Sequence, residues 1–235
     1  MKVDLHVHTG YSLDNFTPLH KTIEAVTKSG IDCIAVTDHN EIKGAFEVRK
    51  RAPFRVIVGE EVRSKEGDII GLFLKKRIPA RLSAYETIMR IKDQGGLVSI
   101  PHPFMWFFPG RLDDDLVYEY VRSGFIDMIE VYNASAITLM SYKKVTELTK
   151  ACPDIAKVAA TDAHFPYEFV GACVDMPEFS GRDDFLPKLK QGELIMKPGF
   201  LYSTFHQLYN VFRTAVLKKP HLPVEIPEQA KIIKS

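Results

Sequence analysis

Residues 3–8, Val-Asp-Leu-His-Val-His, form a short apolar run that ends in two imidazoles, and the same kind of segment returns four more times. The returns are Thr37-Asp38-His39-Asn40, Gly59-Glu60-Glu61-Val62, Ile100-Pro101-His102-Pro103 and Ala160-Thr161-Asp162-Ala163-His164, each tied to an apolar stretch. Side chains two apart on a strand share a side. His6 and His8 are therefore expected to project together, and so are Asp162 and His164. Neutral imidazole and carboxylate are the nitrogen and oxygen ligands that borderline divalent metals take. Five of the eight histidines fall in these segments, so a site for several metal ions is the first expectation.

Outward from these segments, β-rich runs alternate with helical stretches, the pattern of a largely parallel α/β fold. Strands are expected at 3–8, 31–36, 54–58, 69–74, 97–100, 126–131, 156–160 and 193–196. The first helix should open with Thr17 as N-cap and Pro18 as first helical residue, and stop at Gly30. Further helices are expected at 43–51, 83–94, 113–122, 137–150 and 183–190. A last helix at about 204–217 carries Phe205, Leu208, Tyr209, Phe212 and Val216 on one side, followed by an extended tail from Pro220. The organisation expected is one barrel domain over 1–200, with the C-terminal helix and tail of 201–235 packed on it.

At 235 residues and 46% hydrophobic content, an undivided barrel with a substantial core is ordinary. A net charge of +1 makes no global case for nucleic acid, while leaving room for a local basic groove. Cys33, Cys152 and Cys173 lack CxxC spacing and are expected to be reduced thiols. No basic-then-apolar leader opens the chain, and no apolar run approaches the ~18 residues of a spanning helix. A cytoplasmic protein without membrane contact is the expectation.

Nearly every candidate ligand closes an expected strand, the end at which barrel enzymes assemble their sites. The run Asp4-Leu5-His6-Val7-His8-Thr9-Gly10-Tyr11-Ser12-Leu13-Asp14, with TDHN at 37–40, GEEV at 59–62, PHP at 101–103 and TDAH at 161–164, resembles the PHP family, named for polymerase and histidinol phosphatase. The resemblance spans most of residues 2–180, in the expected order. It implies a distorted, TIM-barrel-like (β/α)7 barrel holding two or three divalent ions (Zn, Mn or Fe) for phosphoester hydrolysis. Carried over by position, it implies His6, His8, Glu61 and Asp162 around one metal, with Glu61 reaching a second. His102 matches a ligand of that second metal, and His39, His164 and Asp14 match ligands of a third. Glu61 is chosen over Glu60 on the family's glycine-any-glutamate spacing; the reverse pairing would make Glu60 the bridge. One departure stands out. Many relatives have a histidine in the strand after the glutamate, where this chain has Gly67-Asp68, so Asp68 is either an oxygen ligand or a turn residue.

Clustered cations lower the pKa of a bound water and neutralise phosphoryl charge. Phosphoryl transfer otherwise needs mainly positioning and electrostatics. Asp162 is the candidate to hold and deprotonate the attacking water. Arg111 is the candidate clamp on the phosphoryl oxygens, because a guanidinium fork matches them; its alternative is a surface arginine paired with Asp113 to Asp115. Lys43, Lys75, Lys76 and Arg77 are weaker candidates. Pro103-Phe104-Met105-Trp106-Phe107-Phe108-Pro109 is either a segment beside His102 that stacks a base or covers the site, a hydrophobic plug on the rim or a dimer contact. Glu130 is a candidate to orient a ligand histidine, and Asp38 should point away from His39. His20, His206 and His221 lack ligand-like neighbours.

The function implied is a metal-dependent phosphoesterase acting on a small phosphorylated metabolite, a nucleotide or short single-stranded nucleic acid. Its rivals are a metal-dependent amidohydrolase, whose barrels also open with HxH, and a non-catalytic nucleic-acid-binding barrel.

Overall fold

Seven strands stand side by side in chain order: β1 (Lys2–Val7), β2 (Cys33–Val36), β3 (Arg55–Arg63), β4 (Asp68–Leu72), β5 (Leu97–Ile100), β6 (Met128–Asn133) and β7 (Ala156–Ala160). The computed structural model describes residues 1–196 apart from 107, 109, 136–138 and 170–171. The helix expected at 204–217 and the tail beyond it lie outside the described residues.

The sheet curls until the end of β7 returns to β1. Val7 bridges Ala163 in parallel, the His8 N–H donates to the Ala163 carbonyl at 2.9 Å, and the Asp162 N–H donates to the His6 carbonyl at 2.9 Å. At the opposite end of the same seam, β8 (Ala172–Asp175) pairs antiparallel with Lys2 and Val3, and β9 (Glu193–Met196) pairs with β8. The result is a mixed α/β, nearly closed barrel, pinned at the top of its seam and wedged at the bottom. β8 was not expected from the sequence.

All seven staves except β4 run the same way. β4 follows β3 through a hairpin in which the Ser64 N–H donates to the Gly67 carbonyl at 3.0 Å. That hairpin lengthens β3, so Glu60 and Glu61 lie within the strand and not after it. Reversal of β4 also puts its first residue, Asp68, at the barrel end where the other strands finish.

Helices α1 (Leu19–Ser29), α2 (Lys43–Arg51), α3 (Ala84–Asp93), α4 (Asp114–Arg122) and α5 (Leu139–Ala151) follow β1, β2, β4, β5 and β6, and α6 (Arg182–Leu189) follows β8. α1 starts one residue past the expected Pro18 and has no side-chain cap. The Thr17 hydroxyl instead donates to the His164 carbonyl at 3.0 Å, tying the helix entrance to the far side of the seam. α3 does carry the capping box, between Ser83 and Glu86, worth about 1 kcal/mol. No helix among the described residues is long and apolar enough to cross a membrane.

Two apolar layers follow from strand alternation. Ile34, Val36, Val58, Val98 and Ile129 pack outward on Val26, Val48, Ile88 and Val121 of the helices. Val3, Leu5, Ala35, Ile57, Met128 and Val158 fill the interior, and Phe179, Phe185 and Leu189 close it from beneath. The upper interior is polar, and two β-bulges make it so. The β1–β2 register shifts between Asp4 and Val7, which leaves Leu5 inside, Val7 outside and both His6 and His8 facing in. A second shift, between Glu130 and Tyr132, lets Glu130 and Asn133 share a side despite lying three apart.

Candidate metal centre

His6 is the best-fixed member of the cluster. Its Nδ1–H donates to Glu130 Oε1 at 2.7 Å. The other Glu130 oxygen is filled by the His102 N–H at 2.7 Å and the Asn133 amide at 3.0 Å. With Nδ1 protonated, the Nε2 of a neutral His6 is a lone pair. That lone pair faces His8 Nε2 at 3.0 Å, Glu61 Oε2 at 3.3 Å and Asp162 Oδ1 at 3.3 Å. His8 Nε2 lies 3.3 and 3.2 Å from the same two carboxylate oxygens.

A second lock lies on the opposite side. His164 Nδ1–H donates to the Asp162 carbonyl at 2.9 Å, which turns its Nε2 onto Asp14 Oδ2 at 3.1 Å. His39 Nε2 meets the same oxygen at 3.2 Å, and its Nδ1 meets Glu61 Oε2 at 3.0 Å. His102 Nε2 reaches the other Glu61 oxygen at 3.1 Å, while its buried Nδ1 has no hydrogen-bond partner among the described residues. At His6 and His164, whose Nδ1 carries the proton, a ring lone pair thus faces carboxylate oxygens, an arrangement that requires a cation between them or a second proton on the ring. Three groups converge closely enough to hold metal ions: His6, His8 and Glu61; His8, Asp14, His39 and His164; and His39, Glu61 and Asp68, with ligand atoms in each group within 4.8 Å of one another.

The electrostatics describe the same crowding. Burial opposes a charge on His6, yet the Asp162, Glu130 and Glu61 carboxylates hold its pKa well above the usual range. Burial is likewise outweighed at His39, raised to about 10 by Glu61 and Asp14, and at His164, raised to about 9 by Asp14. Glu61, Asp14 and Asp162 are each lowered by the surrounding imidazoles against the pull of burial. Rings that retain protons this strongly sit in a field built for positive charge. The donor set, the locked tautomers and the unpartnered His102 nitrogen fit divalent ions.

Backbone strain contributes to the placement. His102 has φ 31° and Asp162 φ 54°, in the left-handed region that costs residues other than glycine about 1–3 kcal/mol. The seam bonds hold Asp162 there, and the Glu130 bond holds His102. Asp4, buried and raised to about 7 by desolvation, accepts from the Thr161 N–H at 3.1 Å and from its hydroxyl. Asp38 points away from His39, as expected, and accepts from the Thr9 N–H at 2.6 Å and hydroxyl at 2.8 Å. α2 passes so close that a Cβ on Gly44 would stand 1.9 Å from Asp38 Oδ2.

All nine expected ligand positions thus come to one end of the barrel, but not in the grouping implied by resemblance. His8 joins Asp14, His39 and His164, and Asp68 stands with His39 and not with His102. Glu61 faces the cluster, whereas Glu60 faces the other way and accepts from the Ile78 N–H at 2.7 Å. Arg111 takes its alternative: its guanidinium donates to Asp114 Oδ1 at 2.6 Å. The aromatic loop divides, with Phe104 and Met105 buried and Trp106 72% exposed; residues 107 and 109 lie outside the described residues. Sequence reasoning missed Asn133 and Arg63. Arg63 grips Asp68 through Nε and, at 2.9 Å, Nη2, and its place immediately after Gly59-Glu60-Glu61-Val62 was the available signal.

The PHP domain model matches residues 4–162. The chain belongs to the PHP domain family. Two uncharacterized proteins of Methanocaldococcus jannaschii are similar to it. One is 42% identical over 147 residues, covering 57% of this chain and 82% of that protein. The other is 32% identical over 191 residues, covering 80% and 76%. Among solved structures, a two-domain Bacteroides vulgatus protein containing a predicted PHP-like metal-dependent phosphoesterase aligns with TM-score 0.57 and 18% identity, over 74% of this chain and 57% of that one. Endonuclease Q aligns with TM-score 0.58 and 17% identity, over 83% and 58%. At these identities the structural likeness shows the fold, which is that of the PHP barrel.

Proposed function

We propose that this PHP protein is a metal-dependent phosphoesterase that hydrolyses a phosphomonoester or phosphodiester of a small metabolite, nucleotide or short oligonucleotide. The observation that carries this is the lone-pair convergence of His6 and His8 on Glu61 and Asp162, with the His6 tautomer locked by Glu130. On this reading His6, His8, Glu61 and Asp162 would hold one ion; Asp14, His39 and His164 would serve a second, with His8 beside them; His102 and Glu61 would contribute to a third. Zinc, manganese and iron all suit this donor set.

Bound divalent ions would acidify a coordinated water and offset phosphoryl charge. The chain supplies the remaining functions. Glu61 contributes both oxygens, one toward His102 and one toward His6, His8 and His39. Asp162 is the carboxylate placed to hold and take a proton from the attacking water, steadied by the Asn133 amide 3.3 Å from Oδ2. Burial of His6, His8, Glu61 and Asp162 keeps bulk water from competing. The B. vulgatus protein, which contains a predicted PHP-like metal-dependent phosphoesterase, supports the reaction class. Endonuclease Q, solved with a 27-mer duplex substrate bearing an abasic lesion, supports keeping phosphodiesters in view. We place the protein in the cytoplasm.

The test is a panel of phosphomonoesters, nucleotides and short oligonucleotides, assayed after chelation and again with Mn²⁺ or Zn²⁺ restored. Turnover should vanish and return with the metal. Metal-loaded protein inert across the panel contradicts the reading, and cleavage of amides or lactones instead establishes its amidohydrolase rival.

A further inference from the structure

Arg111 is paired with Asp114, and a second guanidinium, that of Arg63, adjoins the cluster through Asp68. We propose that Arg63 binds the phosphoryl oxygens of the substrate and that Asp68 is its anchor and not a metal ligand. This inference rests on the phosphoesterase reading.

Arg63 and Asp68 are register partners across the β3–β4 hairpin, at the barrel end that carries the cluster. Asp68 has a carboxylate oxygen within 4.8 Å of ligand atoms of His39 and Glu61, so a single carboxylate separates the guanidinium from the cluster. Both Asp68 oxygens are engaged by one edge of Arg63: Nε on Oδ1, and Nη2 on Oδ2 at 2.9 Å. A fork seated this way holds its position.

The surroundings are shaped to this pair. The Arg63 N–H donates to Asn40 Oδ1 at 2.8 Å, fixing the strand to the residue after His39. The Asp68 N–H donates to the Gly110 carbonyl at 2.7 Å. A Cβ on Gly110 would stand 1.7 Å from Asp68 Oδ2 and 2.7 Å from Arg63 Nη2, so the loop after His102 closes directly over the pair.

What remains of the guanidinium suits an anion. The Arg63 side chain is 43% exposed, and its Nη1 donates to no described residue. Both Asp68 oxygens are taken up in holding Arg63, which gives the carboxylate an anchoring role of its own. A guanidinium with one edge anchored and the other edge open is a good receptor for a phosphoryl group.

The experiment measures, on the metal-loaded full chain, inorganic phosphate binding by calorimetry, metal per chain by mass spectrometry, and KM and kcat for a hydrolysed phosphoester. Arg63→Ala should weaken phosphate binding about tenfold or more, the worth of one hydrogen bond to a charged group. It should raise KM correspondingly, change kcat less, and leave the metal count at the wild-type value. Arg63→Lys keeps the charge without the fork and should fall between, which preserves the test if the alanine variant folds poorly. Asp68→Asn should keep every ion and weaken phosphate binding by a smaller factor. Loss of one metal equivalent in Asp68→Asn, or wild-type phosphate affinity in folded Arg63→Ala and Arg63→Lys, overturns the inference while the phosphoesterase reading stands. Wild-type protein that neither turns over esters nor binds phosphate overturns both.

Discussion

The inner and outer corners of the cluster use the same residue types under different constraints. His6 and His8 are sealed from solvent, built into a bulged strand, and backed by Glu130 and Asn133. Outside them, the side chains of Asp14 and His39 are 32% and 21% exposed, and Asp14 and His164 hang from loops. Asp14 is steadied by the Ser12 hydroxyl at 2.7 Å. Buried, pre-oriented ligands pay little ordering entropy and exclude water; exposed ligands on loops do neither. An inner ion should therefore be retained and an outer one exchangeable.

The largest expected effect lies at the inner corner. Asp162→Asn should lower kcat by about 10²- to 10⁴-fold, the range for losing a positioned proton acceptor. Asp14→Asn, at the outer corner, should cost turnover less and be partly rescued by added metal. If the outer variant proves the more damaging, the ranking is reversed.

Glu130 sharpens the inner side of the comparison without touching any ion. Glu130→Gln places an amide near His6 Nδ1 and weakens the tautomer lock, so metal affinity measured by chelator competition should fall about 10- to 100-fold. An unchanged affinity would mean that burial alone organises His6.

Protons compete at both corners, since His6 is raised as well, but the exposed outer ligands should give up their ion first. Without metal, His39 and His164 hold protons up to about 10 and 9. Both pKa values are raised, so protons compete with the ion below those values and release it as pH falls. Affinity for the outer ion should rise by about tenfold per pH unit for each proton displaced, flattening near the higher of the two values. Metal counts after dialysis at stepped pH should show the outer ion leaving first. Simultaneous loss of all ions would erase the distinction.

The smallest effect is structural. Gly44→Ala drives a Cβ into Asp38 and Thr9, 1.9 and 2.6 Å away, and should lower stability by about 1–3 kcal/mol in thermal or denaturant melts. A neutral result would show that the Asp38–Thr9 bonds yield easily.

The strand-end pattern made most of this legible. Val3, Leu5, His6 and His8 spelled the strand and two candidate ligands, and the return of that pattern at strand ends pointed to one end of a barrel, whose seven strands the family resemblance implied. The regrouping of His8 with Asp14, His39 and His164 was not legible, because it depends on which ring nitrogen a distant carbonyl or carboxylate locks. Nor was the Arg63–Asp68 pair, which depends on cross-strand register and on the approach of Gly110. β8 escaped because Ala172-Cys173-Val174-Asp175 is short and pairs with only two residues of β1. The Asp114 pairing of Arg111 is the alternative its sequence neighbours offered, because a guanidinium fork fits a phosphate and a neighbouring carboxylate equally well.

The central claim is that the convergent lone pairs around His6 and His8 exist to hold catalytic metal. Metal analysis of the purified chain, paired with phosphoester turnover before and after chelation, tests it most directly. About one tightly retained ion per chain is expected, with turnover lost on stripping and restored with Mn²⁺ or Zn²⁺. A purified chain that holds no ion, takes none up on reconstitution and hydrolyses no phosphoester would contradict it.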